Sequence, residues 1–236
     1  VRLVGSEMCI RDSYYVFVSL VRSRGPFRMV IKNENIKVIF FDIGGVLLHI
    51  HPDRTINYLS DLTGISFENI KSSFPEHDHE KYEMGLISDF DWYSSFRSAL
   101  SNNKVLTEEK FWQAWALLLG KESEVIDLMI DLKKYYKIWL LSNTNPKHIK
   151  DELDNKYVFP HLVDGAIYSF DVGLRKPDEL IYQKSCEKAN VLPHECVFID
   201  DLKENIKGAK KVGLHGLHFT EMQNLQNDLK LLGLIK

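Results

Sequence analysis

The sequence predicts an α/β fold in which a doubly wound parallel sheet carries an inserted, all-helical second unit. Short and nearly continuous apolar runs recur along the chain, and strands buried on both faces of a parallel sheet have this pattern. Amphipathic helical segments separate the later runs, as they do in right-handed βαβ units. Residues 53–136 break the alternation, because they show helical periodicity and no convincing strand.

Five apolar runs are predicted as the strands of the sheet, and three amphipathic segments as the helices between them. The strands are predicted at residues 36–41, 138–142, 166–169, 197–199 and 214–219. The helices are predicted at residues 145–153, 178–189 and 203–212. Within the insertion, apolar residues such as Trp92, Phe96 and Leu100 recur at helical spacing, and the segments after Ser66 and Thr107 are typical of helix starts.

The chain is expected to divide into a core and an insertion. Residues 29–50 and 137–236 are assigned to the core. Residues 51–136 are assigned to a helical unit over the carboxyl end of the first strand, because the insertion begins directly after that strand. Residues 1–28 carry a charge of +3 and the other 208 residues a charge of −6. We expect residues 1–28 to be a non-native or disordered leader.

The composition excludes several classes of protein. An apolar fraction of 44% in 236 residues is ordinary for a globular chain and argues against disorder. A net charge of −3 provides no basic footprint for nucleic acid. The three cysteines cannot form a disulfide framework, and no apolar run approaches the ~18 residues of a membrane span. We expect a cytoplasmic protein with no nucleic acid and no membrane partner; the composition leaves monomer and homodimer open.

Polar residues follow the predicted strands at the edge where parallel α/β sheets form their sites. They are Asp42, Gly44 and Gly45 after the first strand, Ser142 and Asn143 after the second, Arg175 and Lys176 after the third, and Asp200 and Asp201 after the fourth. Any one of these residues alone would be read as a turn residue or a helix cap. Their coincidence at one edge predicts a functional site.

The chemistry of these residues is coherent. Crowded carboxylates repel one another unless a cation neutralises them, and carboxylate ligands with room for water suit Mg²⁺. A lysine and a serine hydroxyl beside that cation would bind a phosphate group. An aspartate beside bound phosphate can attack phosphorus and form an aspartyl-phosphate. Gly44 and Gly45 would let the backbone approach the phosphate closely.

Four segments of the chain resemble, in order, the four motifs of the haloacid dehalogenase superfamily. The segments are FDIGGVL at 41–47, LLSNTN at 140–145, GLRKPD at 173–178 and FIDDLKEN at 198–205. The resemblance implies a Rossmann-like core with a C1-type helical cap. The motif sequences, together with YEMGLIS at 82–88, are most similar to the branch of sugar-phosphate phosphatases that includes α-D-glucose-1-phosphate phosphatase.

The resemblance also implies a role for each motif residue. Asp42 would be the nucleophile and a Mg²⁺ ligand, and the Gly44 carbonyl a further ligand. Ser142, the Asn143 N–H and the Gly45 backbone would bind the phosphoryl oxygens. Lys176 would neutralise charge on the nucleophile and the phosphate. Asp201 would be the main acidic metal ligand of the last motif, with Asp200 assisting through the metal or its waters and Asn205 in place of a later acid.

Gly44 departs from the pattern of most phosphatases in the superfamily, which carry a second aspartate there as the general acid and base. Such a group contributes about 10²–10⁴-fold in rate. Three readings follow. Water, the substrate or a cap residue supplies the proton; or the protein is a metal-independent 2-haloacid dehalogenase; or it is a phosphate-binding or interaction module with feeble turnover. The pair Asp200 and Asp201 argues against a metal-independent dehalogenase.

Further polar residues are candidates for contact with the substrate. Arg175 either contacts the substrate phosphate or pairs with Asp178, and Glu83 lies in the cap segment that resembles the sugar-phosphatase branch. His51 either replaces the missing acid or is a polar residue of the hinge loop. The cluster from His77 to Glu80 is interpreted as a solvated part of the cap, with a position facing the substrate as the alternative.

These observations together predict a Mg²⁺-dependent phosphatase acting on a small phosphorylated metabolite, most simply a sugar phosphate, through an aspartyl-phosphate on Asp42.

Overall fold

The computed structural model describes residues 32–153 and 156–236. The predicted leader, residues 1–28, lies outside the described residues. The strands are β1 (Val38–Phe41), β2 (Leu48–Ile50), β3 (Leu119–Glu122), β4 (Lys137–Ser142), β5 (Gly165–Tyr168), β6 (Cys196–Asp200) and β7 (His215–His218). Within the described ranges, the helices do not reach the length and apolar content that crossing a bilayer requires.

The α-helices fall into two groups in the chain. Five lie between β2 and β3: α1 (Pro52–Thr63), α2 (Phe67–Ser72), α3 (Glu76–Glu83), α4 (Asp89–Ala99) and α5 (Glu108–Ala116). The others follow β3: α6 (Val125–Leu132), α7 (Ser169–Val172), α8 (Glu179–Ala189), α9 (Lys203–Val212) and α10 (Met222–Leu231). A π-helix spans His148–Leu153, and 3₁₀ turns span Phe159–Leu162 and Pro193–Glu195.

The main sheet is parallel throughout its described strands, in the order β5-β4-β1-β6-β7. From the central β1 the chain passes outward through β4 and β5, and then returns to the other side of β1 for β6 and β7. The strand order therefore reverses at β1, and a crevice forms at the carboxyl ends of β1, β4 and β6. The predicted α/β fold is confirmed, and each predicted apolar run overlaps one of these strands.

Both faces of the sheet are covered, which explains the continuous apolar character of β1. Ile39 and Phe41 point to one face and pack with apolar residues of α6 and α10. Val38 and Phe40 point to the other and pack with residues of α8 and α9. A strand without an exposed face does not alternate polar and apolar residues.

The five helices between β2 and β3, termed the inserted helices from here on, have a separate apolar cluster. Its members include Leu59, Trp92, Phe96, Phe111 and Trp115. Local sequence sets the helix starts: the Ser88 and Asp91 side chains form a capping box for α4, and Thr107 accepts from the Lys110 N–H at the start of α5. The core of these helices is therefore distinct from that of the sheet.

The expectation of no strand within residues 53–136 is wrong at β3. This strand pairs antiparallel with β2. Its sequence, LGKE, contains no β-branched or aromatic residue and is not well buried, so the pairing with β2 is not visible in local sequence.

The last helix of the predicted insertion packs on the sheet. Val125, Leu128 and Met129 of α6 belong to the same apolar cluster as Ile39 of β1. The division of the chain into a core and a cap stays a prediction, but this packing favours a boundary before α6 instead of at residue 136.

The predicted helix at residues 145–153 begins at residue 146 and becomes a π-helix over His148–Leu153. The Asn145 carboxamide oxygen accepts from the His148 N–H at 3.0 Å, which holds Asn145 outside the helix as a cap would.

His148 also joins the π-helix to the inserted helices. Its ring stacks on Trp115, with centroids 5.5 Å apart, and its Nε2–H donates to the Trp115 carbonyl at 3.2 Å. The Asn145 amide donates to Nδ1. Both ring nitrogens are therefore satisfied in the neutral form, and burial lowers the pKa of His148 to about 4.

This neutral histidine predicts acid sensitivity. The unfolded chain takes up a proton near pH 6.5 while the folded chain does not, so the stabilisation is complete above pH 6.5 and is lost as the pH falls toward 4. Between pH 7 and pH 5 the loss is about 2 kcal/mol for one such group. In urea denaturation, the free energy of unfolding of wild type should fall by about 2 kcal/mol more than that of His148→Gln between pH 7 and pH 5.

His77→Gln is the matched control for this prediction, because His77 is exposed on α3. It should keep the pH dependence of wild type. An unchanged pH dependence in His148→Gln would contradict the assignment of a buried neutral imidazole.

Candidate functional site

Three carboxylates meet at the carboxyl ends of β1 and β6. Asp42 directly follows β1, Asp200 is the last residue of β6, and Asp201 comes next. One carboxylate oxygen from each lies within 4.8 Å of the others. Because β1 and β6 are hydrogen-bonded neighbours in parallel register, acids 158 and 159 positions apart in the chain are brought to one edge, as the sequence predicts.

The Lys176 ammonium lies among these acids. Its Nζ is 2.9 Å from Asp42 Oδ1 and 2.6 Å from Asp200 Oδ2, and it donates to the Leu141 carbonyl at 3.1 Å. The residue is only 2% exposed. Burial by itself would lower the pKa of Lys176, but the two carboxylates outweigh it and hold the pKa above its ordinary value.

Lys176 does not neutralise the whole cluster. Burial, reinforced by the charge of Asp200, raises the pKa of Asp42 to about 7 against the opposing effect of Lys176. The same two causes raise the pKa of Asp201. Two carboxyl groups whose ionised forms are this disfavoured fit a divalent cation, which would supply the missing positive charge.

The hydrogen bonds of Asp200 separate its role from those of the other two acids. Oδ1 accepts from the Leu202 N–H at 2.8 Å and from the Asn205 amide at 3.0 Å, and Oδ2 accepts from the same amide at 3.0 Å and from Lys176. Asp200 is fully buried. Four donor contacts hold both oxygens of Asp200 in place, which favours a residue that orders the site.

The Asn143 side chain holds the loop that carries Lys176. Its Oδ1 accepts from the Lys176 N–H at 2.8 Å, and its Nδ2 donates to the Lys176 carbonyl at 3.0 Å. The sequence predicts a phosphate-binding role for the Asn143 N–H and does not anticipate this clamp. Ser142, the last residue of β4, is buried at the same edge.

Position 45 must be a glycine because the Asp201 carboxylate occupies the space that a side chain would take. A Cβ on Gly45 would lie 2.2 Å from Asp201 Oδ2, and its φ of +77° is in the left-handed region. The Gly45 N–H donates to the Leu48 carbonyl at 2.9 Å, so this donor is used within the loop. Gly45 therefore contributes the space that the Asp201 carboxylate occupies.

Gly44, where most phosphatases of the predicted family carry an acid, lies against an apolar side chain. A Cβ at this position would be 3.2 Å from Ile50 Cγ1.

Arg175 contacts the inserted helices. Its Nη1 donates to Glu80 at 2.7 Å and its Nη2 to Glu83 at 3.0 Å, both on α3. The alternative pairing with Asp178 is wrong, because the Asp178 side chain instead accepts from the Leu180 N–H at the start of α8. The sequence does not indicate Glu80 as a partner of Arg175, although its i,i+3 spacing from Glu83 places both acids on one helix face.

Two predictions about histidines meet different outcomes. His51 directly precedes α1, its N–H donates to the Leu118 carbonyl, and its ring lies beside Gly120. These contacts fit the hinge-loop interpretation. The interpretation of His79 as solvated is wrong: its ring packs 5.2 Å from Trp92 and 5.7 Å from Trp115, centroid to centroid.

The chain is similar to several known proteins. It is 28% identical over 200 residues to the D-ribitol-5-phosphate phosphatase of Bacteroides thetaiotaomicron, covering 75% of this chain and 89% of the relative. It is 27% identical over 186 residues to the sesquiterpene phosphatase astK of Aspergillus oryzae, covering 78% and 90%.

A solved structure has the same fold. The crystal structure of a HAD family enzyme from Bacteroides thetaiotaomicron, in complex with magnesium and inorganic phosphate, superposes with a TM-score of 0.70 at 26% identity, covering 80% of this chain and 98% of that one.

A family model, described as haloacid dehalogenase-like hydrolase, matches residues 36–213. This range contains every acid of the cluster, the Lys176 loop and the inserted helices. The family predicted from the four motifs is confirmed, as is the prediction that the protein is an enzyme of that family. The chain belongs to the haloacid dehalogenase-like hydrolase family.

Proposed function

We propose that this chain is a Mg²⁺-dependent phosphatase that hydrolyses a small phosphorylated metabolite through an aspartyl-phosphate on Asp42. The observation that carries the proposal is the buried Lys176 ammonium between Asp42 and Asp200, with Asp201 at the rim. Phosphatases among the relatives, and a structural neighbour holding magnesium and phosphate, support it.

Asp42 is oriented for attack by contacts on one of its oxygens. The Ile43 N–H donates to Oδ1 at 2.8 Å, and Lys176 lies on the same atom. In the proposed first step, a carboxylate oxygen of Asp42 bonds to phosphorus as the ester P–O bond breaks, and the leaving oxygen takes a proton. In the second step water attacks phosphorus, phosphate leaves and the carboxylate is restored.

The other residues of the edge would stabilise the phosphoryl group. Lys176 would balance charge that builds on the equatorial oxygens, and the Ser142 hydroxyl and Asn143 N–H would donate to them. Asp42 and Asp201 would hold Mg²⁺, with the Gly44 carbonyl as a further ligand, while Asp200 would order the site through its contacts with Lys176 and Asn205. Mg²⁺, when bound, supplies Lewis-acid stabilisation of the phosphoryl oxygens. Gly44 has no side chain, so we propose that water, the substrate or an inserted-helix residue supplies the proton.

The inserted helices would act as a cap of the C1 type. Closing over the strand ends, they would exclude bulk water and select the substrate. A sugar phosphate, as in the α-D-glucose-1-phosphate phosphatase branch, is the substrate class we propose. The ribitol-phosphate specificity in the name of one relative supports this class.

The first test concerns the proposed nucleophile, Asp42. Asp42→Asn should lower Mg²⁺-dependent phosphate release from a panel of sugar and polyol phosphates by at least about 10³-fold, because an amide cannot form the aspartyl-phosphate. Asp53→Asn, which changes an exposed aspartate on α1, should retain wild-type activity. If wild type releases no more phosphate than Asp42→Asn from any substrate, the chain is a binding module and not a phosphatase.

The second test is removal of the metal. EDTA should abolish phosphate release, and excess Mg²⁺ should restore it, because the acids at the strand ends need a cation to bind an anionic substrate. The same samples should release no chloride from a 2-haloacid. Chloride release that persists in EDTA would instead identify a metal-independent dehalogenase.

The third test uses the close approach of Gly45 to the Asp201 carboxylate. Gly45→Ala would drive a methyl group into the Asp201 carboxylate and should weaken Mg²⁺ binding, measured by calorimetry, by at least about 10-fold. Gly64→Ala is the matched control, since Gly64 has a similar φ of +70° and no atom within 4 Å of its Cβ position. Equal Mg²⁺ affinities in the two variants would show that Asp201 is not a ligand.

A further inference from the structure

Arg175 is the one residue of the GLRKPD motif whose side chain leaves the core to contact an inserted helix through two ion pairs. Its Nη1 lies 2.7 Å from Glu80 and its Nη2 3.0 Å from Glu83. Both acids are on α3, 92 or more positions earlier in the chain. The guanidinium therefore ties the inserted helices to the loop that carries Lys176.

The two acids differ in burial. The Glu83 side chain is 11% exposed and that of Glu80 is 47% exposed, while Arg175 is 29% exposed. An exposed ion pair contributes little, because water and salt screen it. A buried carboxylate is costly without a partner, and removing that partner is strongly destabilising. The pair with Glu83 is therefore the part of the contact that holds α3 in place.

The surroundings of Glu83 show the same dependence on Arg175. Burial raises the pKa of Glu83, and the Arg175 charge and hydrogen bond oppose that rise. The His79 ring, 3.9 Å from the other carboxylate oxygen, is held neutral because burial and the Arg175 charge lower its pKa to about 4. Arg175 is thus the cation that stabilises the Glu83 carboxylate in this contact.

The end of α3 also touches the core directly. Gly85, two residues after Glu83, lies so close to Phe170 of α7 that a Cβ would be 2.5 Å from the Phe170 carbonyl oxygen. On the other side of Arg175, the main chain of Lys176 is clamped by Asn143. The segment around Lys176 is consequently held from two sides, by α3 and by Asn143, the residue that follows β4.

We propose that Glu83 and Arg175 are positioning residues, whose ion pair docks α3 on the core and thereby fixes the loop that presents Lys176 to Asp42. In this role the pair exists before substrate binds, which distinguishes it from a contact with substrate. The kinetic consequence rests on the proposed phosphatase function, while the docking of α3 does not.

Hydrogen–deuterium exchange of the full chain without substrate tests the docking. Glu83→Gln should raise the exchange rates of amides in α3 and in residues 173–177 by about 10-fold. Arg175→Gln should raise them at least as much, because it leaves the buried Glu83 carboxylate without its partner. The double variant should exchange no faster than Arg175→Gln alone, because either change already breaks the pair. Glu179→Gln, which removes an exposed ion pair with Lys211, should leave both segments unchanged.

Turnover of p-nitrophenyl phosphate with Mg²⁺ tests the consequence for Lys176. Glu83→Gln should lower kcat by about 10-fold, whereas Glu80→Gln should have a smaller effect, since Glu80 is exposed. Glu83→Asp, which restores the charge, should recover part of kcat.

The outcomes separate the two proposals. Unchanged exchange in Glu83→Gln, or additive effects in the double variant, would overturn the positioning role. Faster exchange together with an unchanged kcat would overturn the link to Lys176. A wild-type protein without turnover would contradict the phosphatase function, and the exchange result would still decide the docking of α3.

Discussion

The structure depends on one buried ammonium group. Lys176 is almost inaccessible and contacts Asp42 and Asp200 at hydrogen-bonding distance. Breaking such a buried pair leaves an uncompensated charge, which typically costs about 3–5 kcal/mol. These contacts form only while β1, β6 and the Lys176 loop keep their relative positions. The packing of the sheet therefore maintains the charge balance of the site, and the ion pairs in turn stabilise that packing.

The rest of the site is arranged around that charge. Asp200 is saturated by donors from its own loop and from Asn205, which fixes one carboxylate and leaves Asp42 and Asp201 as the acids short of positive charge. Asn143, which follows β4, hydrogen-bonds the main chain of Lys176. Arg175 joins the same loop to α3. The site and the inserted helices are therefore connected through a single short segment of chain.

Much of this could be predicted from the sequence, because the relevant signals are local. Continuous apolar runs indicate strands covered on both faces, and the acids of the cluster come within two residues of the end of such a run. The missed features depend on partners far away in the chain. β3 is a strand only because β2 lies beside it. His79 is packed because Trp92 and Trp115 surround it, and Arg175 meets Glu80 and Glu83 only once the inserted helices fold back on the core.

In the proposed site, Asp42 is the nucleophile, Lys176 balances part of its charge, and Asp42 and Asp201 would hold Mg²⁺. A crystal structure of the protein with Mg²⁺ and beryllium fluoride, a mimic of a phosphoryl group on a carboxylate, would show whether this arrangement forms. We expect beryllium bonded to an Asp42 carboxylate oxygen, Lys176 Nζ within hydrogen-bonding distance of the fluorides, and Mg²⁺ bound to Asp42 and Asp201. An adduct on a different side chain, or Mg²⁺ bound away from these two aspartates, would contradict it.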